Sequence, residues 1–234
     1  MCFQNDFIEN LNKIPKKDWK IFPKGVHINL DENDRLWGNE LERFITSMMK
    51  SGKDFGMIER PEEERPKESA SHMYHFIHLR DWHDPTDLSP AVQREFRTFG
   101  NHCVIGTHGA KFISPLDEYV RKHRKFNLVV NSNSLNSFVE TDLYSHLESI
   151  GRIARCSKDQ IAIGIIGVAT NIKIQFLVYD LTVLHGYTNV FLCKDLCAAF
   201  DSDAHAQGIE FIKNILDVES YPVKEFTEKL QLEQ

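Results

Sequence analysis

The chain has 234 residues, of which 41% are hydrophobic, and its formal net charge is −6. This length and apolar content suit one large domain with a substantial core, so we expect a single domain over residues 1–234. The acidic balance argues against general nucleic-acid binding, which needs basic side chains to neutralise phosphates. The sequence has no run of about 18 apolar residues, so we expect no transmembrane helix and no membrane partner.

The five cysteines are irregularly spaced, which is typical of a reducing compartment. No secretory signal is visible at the N-terminus, and we therefore predict a cytoplasmic protein. Cys193 and Cys197 are four residues apart, but no second pair or suitable histidines follow, so a structural zinc site is not expected. The opening MCFQNDFIEN begins where a strand should end, so either the first strand is a stub or residues precede Met1.

Apolar runs and helical patterns alternate along the chain. The runs near residues 126, 161 and 190 are nearly continuous, which is typical of parallel strands covered on both faces. Such alternation predicts an α/β fold in three layers, with a mainly parallel sheet between helices. In chain order we predict a helix at 39–50, strands at 74–79 and 126–130, a helix at 137–150, a strand at 161–168, a helix at 171–185, a strand at 190–192 and a helix at 204–216.

A charged, proline-punctuated stretch, ERPEEERPKESAS, occupies residues 59–71. We interpret it as part of an exposed loop insertion at about residues 51–71. A partner-docking loop is the alternative interpretation.

The segments after the predicted strands are where an α/β fold binds ligands. Asp81 and His83, in RDWHDP, could hold a divalent metal through a carboxylate oxygen and an imidazole nitrogen. A third ligand is needed, and no histidine follows within the next several residues. The alternative is a structural loop in which Asp81 accepts backbone hydrogen bonds and Trp82 packs.

The loop FGNHCVIGTHGAKF contains the adjacent pair His102 and Cys103. Adjacent side chains seldom point at each other, and Gly106 and Gly109 indicate a shaped loop. We therefore interpret this pair as pocket wall rather than as a catalytic dyad. After the next strand, Ser137 and Glu140 have the spacing of a capping box at a helix start.

The segment GVATNIK, at residues 167–173, predicts a glycine turn followed by a helix whose N-cap is Thr170. The N–H groups of residues 171–173 would then be donors for an anion or a developing oxyanion. Lys173 lies in the first turn, where the helix dipole disfavours an ammonium. That field and burial should lower the pKa of Lys173.

Five motifs occur in an order that resembles the isochorismatase-like cysteine hydrolases, a family that includes nicotinamidases and other small-amide hydrolases. The resemblance spans nearly the whole chain and implies an isochorismatase-like, Rossmann-like α/β fold. The motifs are QNDF at residues 4–7, RDWH at 80–83, HCVIGTHGAKF at 102–112, SFVETDL at 137–143 and GVATN at 167–171.

The family's activity rests on an aspartate, a lysine and a cysteine. The resemblance places these catalytic positions at Cys2, Ser132 and Lys173, so all three identities are changed. Metal-binding members use an Asp-x-His pair, matched by Asp81 and His83, and a further histidine.

The further histidine is expected to be missing here, with Ser89 near its place. The resemblance also implies a cis peptide at Val168–Ala169. The residues expected at the pocket are Trp82, Asn133, Val168, Ala169 and Thr170.

Three hypotheses follow. In the first, which we favour, the chain binds a small molecule or a partner in the retained cleft without cysteine-hydrolase activity; a divalent metal is the one cofactor considered. In the second, a rewired hydrolase acts on a small amide or a related C–N or ether substrate. There Lys173 would stabilise a Cys2 thiolate or form a Schiff base. In the third, helix 171–185 is apolar almost all round, is buried on more than one side and supports a homo-oligomer.

Overall fold

The structure is a computed structural model that describes residues 1–8, 43–45, 75–114, 116–122 and 127–230. The predicted insertion at 51–71 lies outside these residues, as does most of the predicted helix at 39–50, of which 43–45 are helical. The single-domain assignment therefore stays a prediction. No helix in the described part of the chain is long and apolar enough to cross a bilayer.

The described strands all pair in parallel, as the continuous apolar runs predicted. One sheet pairs the strand at 76–81 (β1) with the strand at 127–132 (β2). Another sheet has the order β3-β4-β5, formed by the strands at 163–168, 190–198 and 220–221. In the first sheet Asp81 lies opposite Ser132. The α/β fold class is thus confirmed. The strands are β1 (Phe76–Asp81), β2 (Asn127–Ser132), β3 (Ile163–Val168), β4 (Val190–Ala198) and β5 (Ser220–Tyr221).

The first residues of the chain lie between the two sheets. The Cys2 N–H donates to the carbonyl of Leu79 in β1 (2.7 Å), and the Val168 N–H of β3 donates to the carbonyl of Met1 (3.2 Å). Gly167 has φ +135°, and a Cβ there would lie 2.1 Å from the Met1 oxygen. A glycine is therefore required for this close approach. The contact brings the carboxyl ends of β1 and β3 to one edge.

Seven α-helices are described, and two were predicted with nearly the right bounds. Residues 170–184 form one continuous helix. Its central α-helical part, Gln175–Tyr179, lies between two π-helical segments, Thr170–Ile174 and Asp180–Leu184. The helices are α1 (Asn5–Ile8), α2 (Pro90–Phe99), α3 (Leu116–Lys122), α4 (Leu143–Ala154), α5 (Gln175–Tyr179), α6 (Ser202–Leu216) and α7 (Val223–Lys229).

Both predicted helix caps are wrong. Helix α4 begins at Leu143, and residues 137–140 form a turn in which Glu140 has φ 55°. A residue in this left-handed conformation ends any right-handed helix, so Ser137 cannot cap one there. Likewise Ala169 is the N-cap of helix 170–184, and the Thr170 hydroxyl instead donates to the carbonyl of Ala198 (2.9 Å).

Helix 170–184 is buried on one side only, which corrects the prediction of burial on several sides. Its inner face contributes Ile174, Leu177, Val178 and Leu181 to the core. Its outer face leaves large apolar side chains exposed. These are Phe176 (44% exposed), Tyr179 (49%), Val183 (59%) and Leu184 (66%).

A candidate metal-binding pocket

Four buried side chains converge beside the end of β1. Asp81 is the last residue of β1, His83 follows it, Glu95 lies on the inner face of α2 and His102 lies in the loop after α2. None is more than 3% exposed. One ligand atom from each residue lies within 4.8 Å of all the others. We call these four residues the carboxylate–histidine group.

Glu95 Oε1 is central to the geometry of the group. It lies 3.4 Å from His83 Nε2 and 3.5 Å from His102 Nε2. Asp81 Oδ2 lies 4.0 Å and 3.9 Å from the same two nitrogens. Burial raises the pKa of Glu95, but the adjacent rings of His102 and His83 outweigh this and hold that pKa below its ordinary value. Glu95 is therefore an ionised carboxylate.

The group fits a divalent cation. Among the described residues, both ring nitrogens of His83 and Oε1 of Glu95 are buried without a hydrogen-bond partner. Buried polar atoms are rarely left unsatisfied, because each costs about 1–3 kcal/mol. Two imidazole nitrogens and two carboxylate oxygens are a donor set that suits Zn²⁺ and other transition metals.

The position of His102 corrects the expectation that the further histidine is missing. His102 Nδ1 lies 2.9 Å from the Gly100 carbonyl, which leaves Nε2 facing Glu95 and Asp81. The sequence interpretation expected the histidine within a few residues of His83. Helix α2 instead separates the two histidines along the chain, and it returns the chain to the end of β1, where His102 lies beside His83. Glu95 was missed because α2 was not predicted. Its position three residues after the buried Val92 is the signal that could have revealed it.

Lys173 reaches this group from the first turn of helix 170–184. Its ammonium is ion-paired with Asp81 Oδ1, and the two side chains are 4% and 2% exposed. Burial lowers the pKa of Lys173 to about 8, and the nearby Cys2 opposes this shift. The Asp81 carboxylate offsets the unfavourable helix dipole, which explains how a lysine is accommodated in this turn.

The Cys2 thiol contacts Asp81 Oδ1, the oxygen that is ion-paired with Lys173. Its Sγ lies 3.7 Å from Asp81 Oδ1. Burial raises the pKa of the Cys2 thiol, although Lys173 lowers it in part. Cys2 is thus a protonated thiol near neutral pH. Cys2 and Lys173, two of the three positions to which the resemblance assigns the family's triad, are brought together on one aspartate.

Ser132, the third position that the resemblance assigns to the triad, has contacts typical of a structural residue. Its hydroxyl donates to the carbonyl of Ser134 (2.7 Å) in the turn after β2. Asn133 Nδ2 donates to Asp87 Oδ2 (2.6 Å), and the Arg80 guanidinium lies 3.9 Å from the Trp82 ring centroid. Ser132, Asn133, Trp82 and Thr170 are not among the residues that line the pocket described next.

A pocket adjoins the carboxylate–histidine group. Its volume is about 310 Å³, counted out to its open mouth. Asp81, Glu95, His102 and Lys173 form its polar side. Val168 and Ala169, joined by a cis peptide bond as the resemblance implied, also line it. The other apolar lining residues are Phe7, Phe99, Leu135, Ile172 and Phe200.

The isochorismatase-domain family model matches residues 65–220 of the chain. This chain belongs to the isochorismatase family. No curated protein matches its sequence. The family assignment agrees with the motif order, and it covers Asp81, His83, Glu95, His102 and Lys173.

Solved structures of the isochorismatase family share this fold at low identity. The nicotinamidase/pyrazinamidase of Bacillus subtilis is 19% identical, with a TM-score of 0.63 and 94% of each chain covered. An isochorismatase-like hydrolase from Alkaliphilus metalliredigens is 17% identical, with a TM-score of 0.62 and coverage of 97% of this chain and 94% of that one. The pyrazinamidase of Pyrococcus horikoshii, solved in complex with zinc, is 19% identical, with a TM-score of 0.55 and coverage of 94% and 95%.

Proposed function

We propose that this isochorismatase-family protein binds a divalent metal ion through the carboxylate–histidine group and a small molecule in the adjoining pocket, without cysteine-hydrolase chemistry. The observation that carries this proposal is the position of Lys173. It lies where the resemblance puts the nucleophilic cysteine, and it is ion-paired with Asp81 inside the metal-binding group.

The family's usual thioester chemistry, with the nucleophile at residue 173, is incompatible with Lys173. An amine cannot replace a thiolate as the acyl-accepting nucleophile at residue 173. Cys2 supplies a thiol nearby, but burial raises its pKa, and the thiolate is the reactive form. Ser132 cannot supply the positive charge of the family's lysine, and its hydroxyl is engaged in a turn.

The metal ion of this proposal is supported by the unsatisfied atoms of His83 and Glu95. Asp81, His83, Glu95 and His102 would hold it. A bound divalent ion would act as a Lewis acid toward an oxygen or nitrogen of the ligand. The chain itself contributes the Lys173 charge and the apolar wall of the pocket.

Calorimetric titration of Zn²⁺ into chelator-treated protein tests the metal site. We expect one ion per chain and an affinity that falls about 100-fold or more in His102→Ala and in Glu95→Gln, since each loses a ligand. His146→Ala, on α4 away from the pocket, is the matched control and should bind zinc as the wild type does. Zinc binding that is absent, or unchanged in both site variants, would refute the metal site.

A hydrolysis screen against small amides, including nicotinamide, tests the absence of cysteine-hydrolase activity. We expect no turnover from the wild type or from Lys173→Ala. Turnover that is lost in Lys173→Ala would overturn this part of the proposal.

The rewired hydrolase is a second candidate because Cys2 and Lys173 contact the same oxygen of Asp81. It would act on a small amide or a related C–N or ether substrate. It requires that turnover of such a substrate falls in Cys2→Ala, in Lys173→Ala or in both. Turnover that is unchanged in both variants excludes it.

We also propose that the chain forms a homo-oligomer through the outer face of helix 170–184. Between residues 172 and 184 the charged residues are Lys173 and Asp180, and both are buried. A second copy could therefore cover the exposed apolar side chains without bringing like charges together. The cytoplasmic location remains a proposal, supported by five free cysteines, all of which the structure describes.

A further inference from the structure

We propose that the metal-loaded pocket selects a small carboxylate monoanion with an apolar body over the neutral amide of the same shape, and that Lys173 sets this preference. The inference rests on the proposed function, because it depends on the charge of the metal ion.

The charges on the polar side of the pocket are unbalanced. Asp81 and Glu95 carry one negative charge each, and Lys173 carries one positive charge. His83 and His102 are neutral when they bind a metal. With both histidines neutral as metal ligands, the side chains of the group and Lys173 together carry one net negative charge, and the divalent ion itself changes this to one net positive charge. Since uncompensated buried charge is costly, the loaded pocket favours a ligand with a single negative charge.

The ion pair between Lys173 and Asp81 indicates that the negative group of the ligand is needed beside the Lys173 ammonium. Within the described residues, Asp81 is the one acidic group that pairs with the Lys173 ammonium. A metal ion that draws on the Asp81 oxygens weakens this ion pair, and the ammonium stays buried with less compensation. A ligand carboxylate in the pocket would restore a negative partner. A neutral amide would leave the ammonium without one.

The rest of the pocket favours a flat apolar body on that anion. Phe99 and Phe200 both line it, with their rings 6.1 Å apart and inclined by 24°. Phe7 and Leu135 add apolar surface. The pocket volume of about 310 Å³ includes the space at its open mouth, so the ligand has to be compact. The fitting chemical class is a compact aromatic or branched aliphatic carboxylate.

Benzoate and benzamide are matched probes, because they share size and shape and differ in charge. We expect calorimetry on the zinc-loaded wild type to show benzoate binding about tenfold or more tightly than benzamide. The preference for benzoate over benzamide should be lost in Lys173→Met, which removes the positive charge. It should be kept in Lys173→Arg, which retains that charge. After chelation of the zinc, the wild type should lose its preference for benzoate.

The outcomes separate this inference from the proposed function, because zinc binding is measured first on every variant. If zinc binds but benzamide binds as tightly as benzoate, or neither binds, the inference is wrong while the metal site stands. A preference that persists in zinc-loaded Lys173→Met would also overturn it. If zinc does not bind the wild type, the proposed metal site and this inference both fail. Circular dichroism confirms that each variant is folded.

Discussion

Lys173 and Asp81 form a buried ion pair that joins the first turn of helix 170–184 to the end of β1. The pair places a fixed positive charge beside four side chains that together fit a divalent cation. Lys173 and the proposed metal ion would therefore interact with the same carboxylate. This competition distinguishes the site from one with a cysteine at residue 173, since a thiol would not oppose a cation.

Replacing Lys173 by Met should strengthen metal binding. The variant removes a positive charge close to the ion, so we expect zinc affinity to rise about tenfold or more, equivalent to about 1.4 kcal/mol. Isothermal titration calorimetry on chelator-treated protein measures this. Lys194→Met, at an exposed position in β4, is the charge-matched control and should leave the affinity unchanged. A weaker affinity in Lys173→Met would show that the ammonium supports the metal ion rather than competing with it.

The same substitution should destabilise the metal-free protein. Removal of one partner leaves Asp81 buried with an uncompensated charge, which costs about 3–5 kcal/mol. Urea denaturation in the presence of a chelator measures the loss. In the double variant Asp81→Asn/Lys173→Met the buried charge is gone, so most of the loss should be recovered. Equal stability losses in the single and double variants would mean that the pair contributes no coupling energy.

His78 should make the stability depend on pH below neutrality. Burial lowers its pKa from 6.5 to about 4, against the opposing effect of its 2.7 Å hydrogen bond with Asn127. Between these values the unfolded chain binds a proton that the folded chain does not. The free energy of unfolding therefore falls as the pH drops from 6.5 to 4, by up to about 1.4 kcal/mol per pH unit.

Substitution His78→Gln should remove this contribution. Urea denaturation of the wild type and the variant across that pH range gives the comparison, and His146→Gln, at a half-buried position on α4, serves as the control. Parallel pH profiles for wild type and His78→Gln would contradict the prediction.

Gly208→Ala should destabilise the packing of α6 against the turn that carries Lys173. A Cβ at residue 208 would lie 2.8 Å from the Asn171 nitrogen and 2.9 Å from the Thr170 carbonyl carbon, and backbone atoms cannot move aside cheaply. Overpacking of this kind costs about 1–3 kcal/mol, against a gain of up to about 1 kcal/mol from alanine in a helix. We expect a net loss of about 1 kcal/mol by chemical denaturation. The exposed neighbour Gln207→Ala should show no loss.

A charge on the outer face of helix 170–184 should dissociate the proposed oligomer. Tyr179→Glu and Val183→Glu place a carboxylate on a face that has no charged side chain exposed between residues 172 and 184. Sedimentation velocity should show a shift toward monomer in both variants. Ile153→Glu, at an exposed apolar position on α4, is the control. A wild type that is already monomeric at micromolar concentration would refute the oligomer.

Local sequence patterns were most informative for the buried strands. The runs that became β1, β2 and β3 were placed within a few residues, because apolar runs as short as these favour strands over helices. The strand β4 was predicted to end at Leu192, because the charged Lys194 and Asp195 interrupt its apolar pattern. In the structure it continues to Ala198. Helix α4 was predicted to begin at residue 137 but begins at Leu143, because Ser137 and Glu140 have the spacing of a capping box.

The amino-acid sequence by itself indicated the α/β class and the family, because these depend on residue identity and order. It also predicts, through the resemblance, that the family's catalytic positions are Cys2, Ser132 and Lys173 in this chain. Tertiary structure alone decided which residues meet. Glu95 and His102 join Asp81 and His83 only because α2 folds back against the end of β1. Lys173 finds its counter-charge only because Met1 and Cys2 bring β1 and β3 to one edge. Contacts between such distant segments depend on packing, which no local pattern of side chains encodes.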